Sequence, residues 1–498
     1  MAQSTADGAA KATAEQPAEA IVDELLDWLR PQLIELVESI KAGLRPTTFL
    51  TFELSLLNLV REFGRLLLQR CLNGLEDDPA ELRDQLIFRG QGYRRLKQKT
   101  RNAHVATLFG TVTLHRFPYR SWHRFVSEPC VFPLELQLGL VEGVTPALAS
   151  RIGKCVADLP QQRVLQWLRE EHRVSMGVKR LRKLTAVLSE EMSEHRQQTQ
   201  AEALLQALQD ANQSRGNRKP VLAVGRDGIT LCEHGHSFWE VATAATVTVF
   251  DRAGKRLATV YLAHSPELGQ ATMSRMLTDL LLEVLEAWEG PLPTLAYITD
   301  SGDNESSYYE DQLRTMCHPR TGQRLDWQRV VDFYHVAERV WAIAEALFGK
   351  KDKRYASWAR RMLKTLKRSP SGARRLLHSA AAHASRRKLS ESRRKQLEKA
   401  CNYIRRRTQW MKYNEYRKRH IPIGSGITEA ACKTVFTQRL KLSGMRWSRE
   451  GADRILILRT ILLSRVWDAT FSRSLEARES LLPTPYAPNN DIPSKMTA

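Results

Sequence analysis

The sequence has few of the features that mark membrane, exported or disulfide-stabilised proteins. None of its apolar runs approaches the roughly 18 residues that a membrane-spanning helix needs, and its first residues are small and polar. Its seven cysteines are an odd number, widely scattered, and none forms a Cys-x-x-Cys pair. We therefore expect a soluble, unexported, cytoplasmic protein without a zinc ribbon.

Other absences narrow the chemistry. The sequence contains no Gly-x-x-x-x-Gly-Lys-Ser/Thr loop, so no ATP-dependent step is expected. With 498 residues, of which 42% are hydrophobic and 26% charged, the chain has ordinary globular composition and enough length for roughly two to four domains. Collagen-like and wholly disordered proteins are thereby excluded.

The positive charge of the chain is concentrated in one segment. The formal net charge is +21, and residues 351–420 contain 24 lysines and arginines against 4 acids. Such a segment repels itself in solution and is best explained as the place where a polyanion binds, which favours nucleic acid. A solvated helical face is the simpler alternative, although such faces normally mix both signs. A membrane surface is disfavoured because the segment lacks the continuous aromatic or leucine face that membrane insertion needs.

The N-terminal part is predicted to be mainly helical. Residues 1–19 carry too little apolar surface to fold and are predicted to form a disordered tail. Residues 20–130 combine amphipathic helices with an alternating stretch around Gly110, which predicts a β-hairpin.

Residues 131–211 have the spacing of a helix-turn-helix, a common DNA-binding unit. Short helices are predicted at 146–158, 161–171 and 175–191. The last of them carries a basic cluster that would face a major groove, formed by Lys179, Arg180, Arg182 and Lys183. Short helical triplets also occur in proteins that never touch DNA, so both interpretations stay open.

Strands and helices alternate after a polar linker at 212–219. In residues 220–349 the predicted order is three antiparallel strands, then helix, strand, helix, strand and helix, as a ribonuclease-H-like fold requires. A basic α-helical insertion (350–420), the closing helix of the core (421–470) and a C-terminal tail (471–498) follow. The predicted fold class is a multidomain α protein with an α/β core, in which a ribonuclease-H-like catalytic domain is interrupted by an α-helical insertion.

Three acids fall where this fold gathers its chemistry. Asp227 is predicted to end the first strand, Asp300 to end the fourth, and Glu429 to lie in the first turn of the closing helix. Hard cations prefer carboxylates, and a pair of divalent ions needs several negative oxygens. We therefore expect this triad to hold two Mg²⁺ ions, for which Mn²⁺ would substitute. One ion would activate a water or a 3′-hydroxyl, and the other would stabilise the leaving oxygen of a phosphodiester displacement.

Neighbouring residues compete for this site or extend it. Asp303 is the rival of Asp300 for the second position. Asp332 and His335 lie at the junction of the fifth strand and its helix, where they would either cap and pack or reach the metal and the scissile phosphate as catalytic residues. The stretch from Cys232 to His236 contains soft-metal ligands but no fourth partner, so a hairpin turn is favoured over a zinc site.

Three stretches resemble a known family: RVVDFYHVAE at 329–338, IGSGITEAACK at 423–433 and RLKLSGMRW at 439–447. They resemble bacterial insertion-sequence transposases of the DDE type, most closely the ISKra-type group, which is related to Mutator-like transposases. The resemblance extends from about residue 109 to 466. It implies a ribonuclease-H-like fold with a helical insertion before the last acid.

The same resemblance carries over to individual residues. Asp227, Asp300 and Glu429 match the metal-binding triad of the family. Asp332 and His335 match the Asp-x-x-His signature of the Mutator-like superfamily.

A basic track follows the last acid. Lys433 lies four residues after Glu429, hence on the same helical face, and DNA contacts are expected along the residues that follow it. These are Lys433, Arg439, Lys441, Arg446 and Trp447. Trp447 would stack on an unpaired base or belong to the core.

The expected function is an insertion-sequence transposase that cuts DNA at the ends of its element and joins them to target DNA. The partners are the terminal inverted repeats and target DNA, and a homodimer or higher assembly is expected because two ends must be held together. A stand-alone metal-dependent nuclease of the same fold and a non-catalytic transposase-derived DNA-binding protein are the alternatives.

Overall fold

The computed structural model describes residues 18–41, 43–76, 80, 82–122, 129–232 and 239–485. The chain forms two compact units, Met1–Leu188 with Phe471–Ala498, and Ser189–Thr470. Within the described residues, no helix is both long and apolar enough to cross a membrane. Mixed helices and sheets confirm the predicted α/β arrangement.

The first unit begins with two helices that pack together and continues into small sheets. Its helices are α1 (Ala18–Lys41), α2 (Pro46–Gly74), α3 (Pro133–Gln137), α4 (Pro146–Asp158) and α5 (Gln161–His172). Its first five strands are β1 (Gln85–Phe88), β2 (Gln91–Arg95), β3 (Thr100–Thr107), β4 (Gly110–Arg116) and β5 (Tyr119–Ser121). Strands β3 and β4 form the hairpin predicted around Gly110. The predicted N-terminal tail lies outside the described residues, except that Ala18 and Glu19 already belong to α1.

Helix α6 (Val178–Gln213) is much longer than predicted. The sequence predicts its end at residue 191 and a linker from 212, but the helix continues through the first two linker residues. Ala201, Leu204 and Leu208 explain the difference, because they are buried and pack against the sheet of the second unit. Strong helix formers such as these keep a helix going where no glycine or proline stops it.

The predicted C-terminal tail is wrong for its first part. Residues 467–479 form helix α16 (Trp467–Glu479), and strand β11 (Thr484–Pro485) pairs with β1. Phe471 is buried, and the guanidinium of Arg478 donates a hydrogen bond to the carbonyl of Gly139 at 3.0 Å. Because the other faces of this helix are polar, the sequence shows no clear helical periodicity that would reveal its buried side.

The second unit is built on a five-stranded sheet. The strands are β6 (Val221–Cys232), β7 (Trp239–Phe250), β8 (Arg256–His264), β9 (Thr294–Thr299) and β10 (Trp327–Val331). Their order across the sheet is β10-β9-β6-β7-β8, in which β6, β7 and β8 are antiparallel and β9 and β10 run parallel to β6. The pairing of β6 with β7 extends to Cys232 and Trp239, and the turn predicted from Cys232 to His236 falls largely on residues 233–238, which lie outside the described part of the chain.

Helices cover both faces of this sheet, because successive side chains of a strand point to opposite sides. Leu222 and Val224 of β6 pack against α6 and helix α7 (Ala271–Ala287). Val221 and Ala223 face helix α9 (Phe333–Phe348) on the other side. A short helix, α8 (Asp303–Tyr308), and a π-helical turn (Tyr309–Leu313) connect β9 to β10.

The basic segment forms a helical insertion that packs onto α9. Its helices are α10 (Lys353–Arg368), α11 (Gly372–Ser385), α12 (Glu391–Arg407) and α13 (Tyr413–Lys418). Trp358, Leu376 and Ile404 are buried in the same core as α9, whereas most of the arginines and lysines are exposed. The insertion is thus amphipathic, with one apolar side and one strongly positive side.

The closing part of the core is more broken than the single helix that the sequence predicts. It consists of α14 (Gly426–Ala431), a π-helical turn (Cys432–Thr437) and α15 (Arg449–Leu463), followed by the start of α16. The break after α14 matters for the site, because Cys432 and Lys433 lie in the π-helical turn rather than in a regular α-helix.

Candidate functional site

Asp227 lies inside β6 rather than at its end. The strand continues to Cys232, contrary to the prediction, because β7 pairs with it along its whole length. The parallel partner β9 pairs only as far as Gly225, opposite Ile298. Asp227 therefore stands just beyond the last β9 pair, and Asp300 directly follows the end of β9 at the same edge.

A glycine allows the closing helix to approach this edge. Gly225 of β6 faces Thr428 of α14, and a Cβ atom at residue 225 would overlap the Thr428 hydroxyl. That hydroxyl shares a hydrogen bond of 2.8 Å with the hydroxyl of Thr246 in β7. This close contact fixes the first turn of α14 on the sheet and brings Glu429 to the edge that carries Asp227.

Asp300 and Glu429 lie close enough to Asp227 for their charges to act on its carboxyl group. Burial raises the pKa of its carboxyl group, and the charges of Asp300 and Glu429 raise it further. Two hydrogen bonds oppose these effects, one from the amide of Gly228 at 2.8 Å and one from the thiol of Cys432 at 3.5 Å. Asp227 is therefore partly desolvated, and two acids from separate elements act on its charge.

Asp300 and Asp303 have different surroundings. The carboxylate of Asp300 accepts a hydrogen bond from the amide of Gly302 at 2.9 Å, and its charge acts on Asp227. Asp303 is exposed in the first turn of α8, where an acid stabilises the helix terminus. The geometry therefore favours Asp300 for the second position.

Glu305 is a fourth acid of this site that sequence reasoning missed. It is only 8% exposed, and burial raises the pKa of its carboxyl, with further contributions from Asp300 and Asp227. Its carboxylate lies against Gly302, where a Cβ would collide with it. The available signal was Gly302 itself, since a glycine before a helix permits a side chain from that helix to fold back.

Asp332 is fully buried and caps α9. Its Oδ1 accepts hydrogen bonds from the amides of Tyr334 and His335, and its Oδ2 accepts from the amide and the hydroxyl of Ser425. These four donors use the roughly four lone-pair sites of a carboxylate. The capping role left open by the sequence is therefore present, and a direct role for Asp332 on a scissile phosphate is disfavoured.

Asp332, His335 and Glu429 form a group that could hold a metal ion, with one ligand atom of each lying within 4.8 Å of the others. In the part of the chain that the structure describes, the predicted set of Asp227, Asp300 and Glu429 does not form so compact a group. Asp332 is fully buried and bound by three backbone amides, so His335 and Glu429 are the members with accessible ligand atoms. Nε2 of His335 lies 3.7 Å from Oε1 of Glu429.

Ser425 connects this group to the triad. Its hydroxyl lies 2.7 Å from Oδ2 of Asp332 and 2.8 Å from Oε1 of Glu429. One hydroxyl proton can be donated to only one of these carboxylates at a time. Asp332 and Glu429 therefore compete for this proton, and Glu429, which is exposed, stays available for another ligand.

The basic residues after Glu429 divide into exposed and buried ones. Lys433 and Arg446 are exposed, and Lys441 is half-buried. Arg439 is fully buried, and its guanidinium lies 5.2 Å from the centre of the Trp447 ring. Contrary to the prediction, Arg439 therefore does not face DNA, because its side chain is packed inside the fold.

Trp447 also has an internal partner. Its indole N–H donates to the carbonyl of Leu440 at 2.9 Å, and the side chain is half-buried. Together with the guanidinium of Arg439 beside the ring, this contact favours the core interpretation over base stacking.

The helix-turn-helix cluster needs one correction. Lys179, Arg182 and Lys183 are exposed on α6. Arg180 instead donates hydrogen bonds to the carbonyls of Glu142, His104 and Gly143 at 2.8–3.0 Å, and burial lowers the pKa of its guanidinium. It holds a loop of the first unit and is not free for a DNA phosphate.

The donor set at the sheet edge fits a hard divalent cation. It consists of carboxylate oxygens from Asp227, Asp300, Glu305 and Glu429, whose mutual repulsion a bound cation would relieve. The thiol of Cys432 stays protonated there, because burial and then the charge of Asp227 raise its pKa. Comparison with models of known protein families and with curated proteins finds no match for this chain.

Proposed function

We propose that this protein is a DNA transposase of the DDE type, which cleaves the ends of its element and transfers them to target DNA in a metal-dependent reaction. The observation that carries the proposal is geometric: Asp227 lies just beyond the last pair between β6 and β9, Asp300 directly follows β9, and the contact of Thr428 with Gly225 brings the turn that carries Glu429 to the same edge. The three acids come from β6, the end of β9 and α14, which are far apart in the sequence.

The sheet supports the same proposal. Three antiparallel strands continued by two parallel ones, with helices on both faces, are the arrangement that a ribonuclease-H-like fold requires. We assign the second unit to this fold, with α10 to α13 as an insertion before Glu429. A second line of support is that the stretches 329–338, 423–433 and 439–447 resemble DDE transposases, for which this fold is expected.

Asp227, Asp300 and Glu429 would hold two Mg²⁺ ions, with Mn²⁺ as a substitute, and Glu305 would add a carboxylate beside them. When bound, the ions would activate a water or 3′-hydroxyl and stabilise the leaving oxygen. The protein's own residues orient the carboxylates: the amides of Gly228 and Gly302 fix Asp227 and Asp300, and Ser425 fixes Glu429. His335, whose Nε2 lies 3.7 Å from Oε1 of Glu429, would contact the scissile phosphate.

DNA is the proposed partner of the positive surface. The exposed arginines and lysines of the insertion, together with Lys433 and Arg446, lie in the same unit as the carboxylates. Contacts from such residues to phosphates give affinity without sequence preference. A homodimer or higher assembly on DNA is part of the proposal, because strand transfer needs two ends held together.

The test is cleavage and joining of DNA that carries the sequences flanking the element, with Mg²⁺ or Mn²⁺. Asp227→Asn, Asp300→Asn and Glu429→Gln keep the shape of each side chain and remove its charge. We expect each to abolish both reactions while DNA binding persists, and Asp303→Asn to remain active as the matched control. Cleavage without joining would instead identify a nuclease, and binding without either reaction would identify a DNA-binding protein.

A further inference from the structure

The residue after Asp300 has an unusual backbone conformation. Ser301 has a φ of +65°, in the left-handed region that residues other than glycine seldom occupy. It is buried and lies between the end of β9 and the start of α8. Such a conformation persists only when the surrounding structure holds it.

Besides hydrogen bonds within the loop itself, two holding contacts come from helix α12 of the basic insertion. The hydroxyl of Tyr403 donates to the carbonyl of Asp300 at 2.9 Å, and the guanidinium of Arg407 donates to the carbonyl of Ser301 at 3.1 Å. Two consecutive carbonyls of the loop are therefore bound by two side chains of one helix.

These two side chains are themselves fixed. Tyr403 and Arg407 are four residues apart and so lie on one face of α12, where the guanidinium of Arg407 sits 4.2 Å from the centre of the Tyr403 ring. The guanidinium of Arg339, from α9, lies 5.2 Å from the same ring. On the neighbouring face, Ile404 is buried in the core shared with α9.

We propose that Tyr403 and Arg407 are positioning residues that hold the Asp300–Ser301 loop, so that the basic insertion sets the geometry of the second metal-binding acid. The inference rests on the proposed function, because it assigns these residues to the site of that reaction. The insertion then has a role beyond offering positive charge to DNA: without its α12 contacts, Asp300 would lose its fixed position relative to Asp227.

Tyr403→Phe is the sharpest test, because it removes only the hydroxyl. Tyr416→Phe is the matched control: Tyr416 also belongs to the insertion, and its buried hydroxyl donates to a sheet carbonyl, that of Arg329, at 3.1 Å. A first measurement is hydrogen exchange of the peptide covering residues 299–305 in metal-free protein. We expect faster exchange in Tyr403→Phe and in Arg407→Gln, and wild-type exchange in Tyr416→Phe.

A second measurement is Mn²⁺ binding by calorimetry, together with the Mn²⁺ concentration that half-activates DNA cleavage. Tyr403→Phe should raise both the dissociation constant for Mn²⁺ and the half-activating Mn²⁺ concentration by roughly tenfold, as is usual for partners that orient a metal ligand. Saturating Mn²⁺ should then restore the cleavage rate. General destabilisation would lower the rate at every Mn²⁺ concentration. Equal exchange and equal Mn²⁺ affinity in the Tyr403 and Tyr416 variants would overturn the inference. If wild-type protein binds no Mn²⁺, the proposed function fails, while the exchange comparison still decides whether α12 holds the loop.

Discussion

The thiol of Cys432 lies 3.5 Å from Oδ2 of Asp227 and donates a hydrogen bond to it. The thiol is buried in the π-helical turn that follows α14. Burial raises its pKa strongly, and the charges of Asp227 and Glu429 raise it further. A protonated thiol is a donor, so Cys432 supports the ionised form of Asp227 and does not act as a nucleophile or soft-metal ligand.

Cys432 should therefore resist alkylation. Thiolates, not thiols, react with iodoacetamide, and Cys71 and Cys317 are exposed. At pH 8 we expect Cys432 to be modified at least about 100-fold more slowly than these two, because its raised pKa and its burial act together. Mass spectrometry of the labelled peptides measures the rates. Modification of Cys432 as fast as that of Cys317 would contradict the buried, protonated thiol.

Asp227→Asn should stabilise the metal-free protein. Because the folded-state pKa of Asp227 is raised, its ionised form costs folding stability, and this cost sets in as the pH rises above the ordinary aspartate pKa of about 3.9. In EDTA at pH 8 we expect the melting temperature to rise by roughly 2 °C, with the gain shrinking as the pH falls toward 4. Mg²⁺ should then stabilise the wild type more than the variant.

The control for this measurement is Asp303→Asn, which removes an exposed charge three residues from Asp300. Its melting temperature should stay close to that of the wild type in EDTA at both pH values. A lower melting temperature for Asp227→Asn at pH 8 would show that the carboxylates are compensated by protein cations rather than by a metal.

Gly225→Ala should disrupt the site by displacing α14. The added Cβ would overlap the Thr428 hydroxyl, so either the strand or the helix that carries Glu429 must move. We expect cleavage to fall about 100-fold, as small displacements of reacting groups do, and the free energy of unfolding to fall by about 1–3 kcal/mol. Gly426→Ala is the matched control, since nothing lies within 4 Å of its added Cβ.

A second substitution distinguishes the overlap with the Thr428 hydroxyl from a general effect of placing alanine in the strand. Thr428→Ala removes the overlapping hydroxyl, although the Cβ of residue 428 remains 3.0 Å from the added methyl group. The double variant Gly225→Ala/Thr428→Ala should therefore recover part of the cleavage activity that Gly225→Ala alone loses. No recovery at all would mean that Gly225 is required for another reason.

The order of elements was accessible from the sequence because it depends on local patterns. Strands β6 to β10 are apolar runs bounded by turn residues, and Asp300 follows one of them directly. The end of α6 was not accessible. Residues 192–213 contain good helix formers and neither glycine nor proline, but they are polar enough to resemble an end, and the side that packs on the sheet becomes evident only in the structure.

The candidate site was likewise predictable only where it depends on local sequence. An acid at a strand end can be predicted from its neighbours in sequence, but Glu305 joins the site because its side chain folds back against Gly302. The basic residues were predicted from charge alone, which does not reveal burial. Arg180 and Arg439 look like Lys179 and Arg446 in the sequence, yet Arg180 is bound to three backbone carbonyls and Arg439 is buried.

That difference gives the last prediction. Lys433→Ala and Arg446→Ala should each weaken DNA binding for all sequences alike. Each should also reduce the slope of log K against log salt concentration by about 1, because each exposed cation releases about one counterion when it binds a phosphate. Arg439→Ala should leave this slope unchanged and instead lower the free energy of unfolding by about 2 kcal/mol or more, since it empties a buried, packed position beside Trp447. The slopes are measured by fluorescence anisotropy titrations between about 50 and 200 mM salt, the range over which phosphate contacts are most evident. Urea unfolding measures the free energy of unfolding. An Arg439 variant of wild-type stability with a reduced slope would place that guanidinium on the DNA after all.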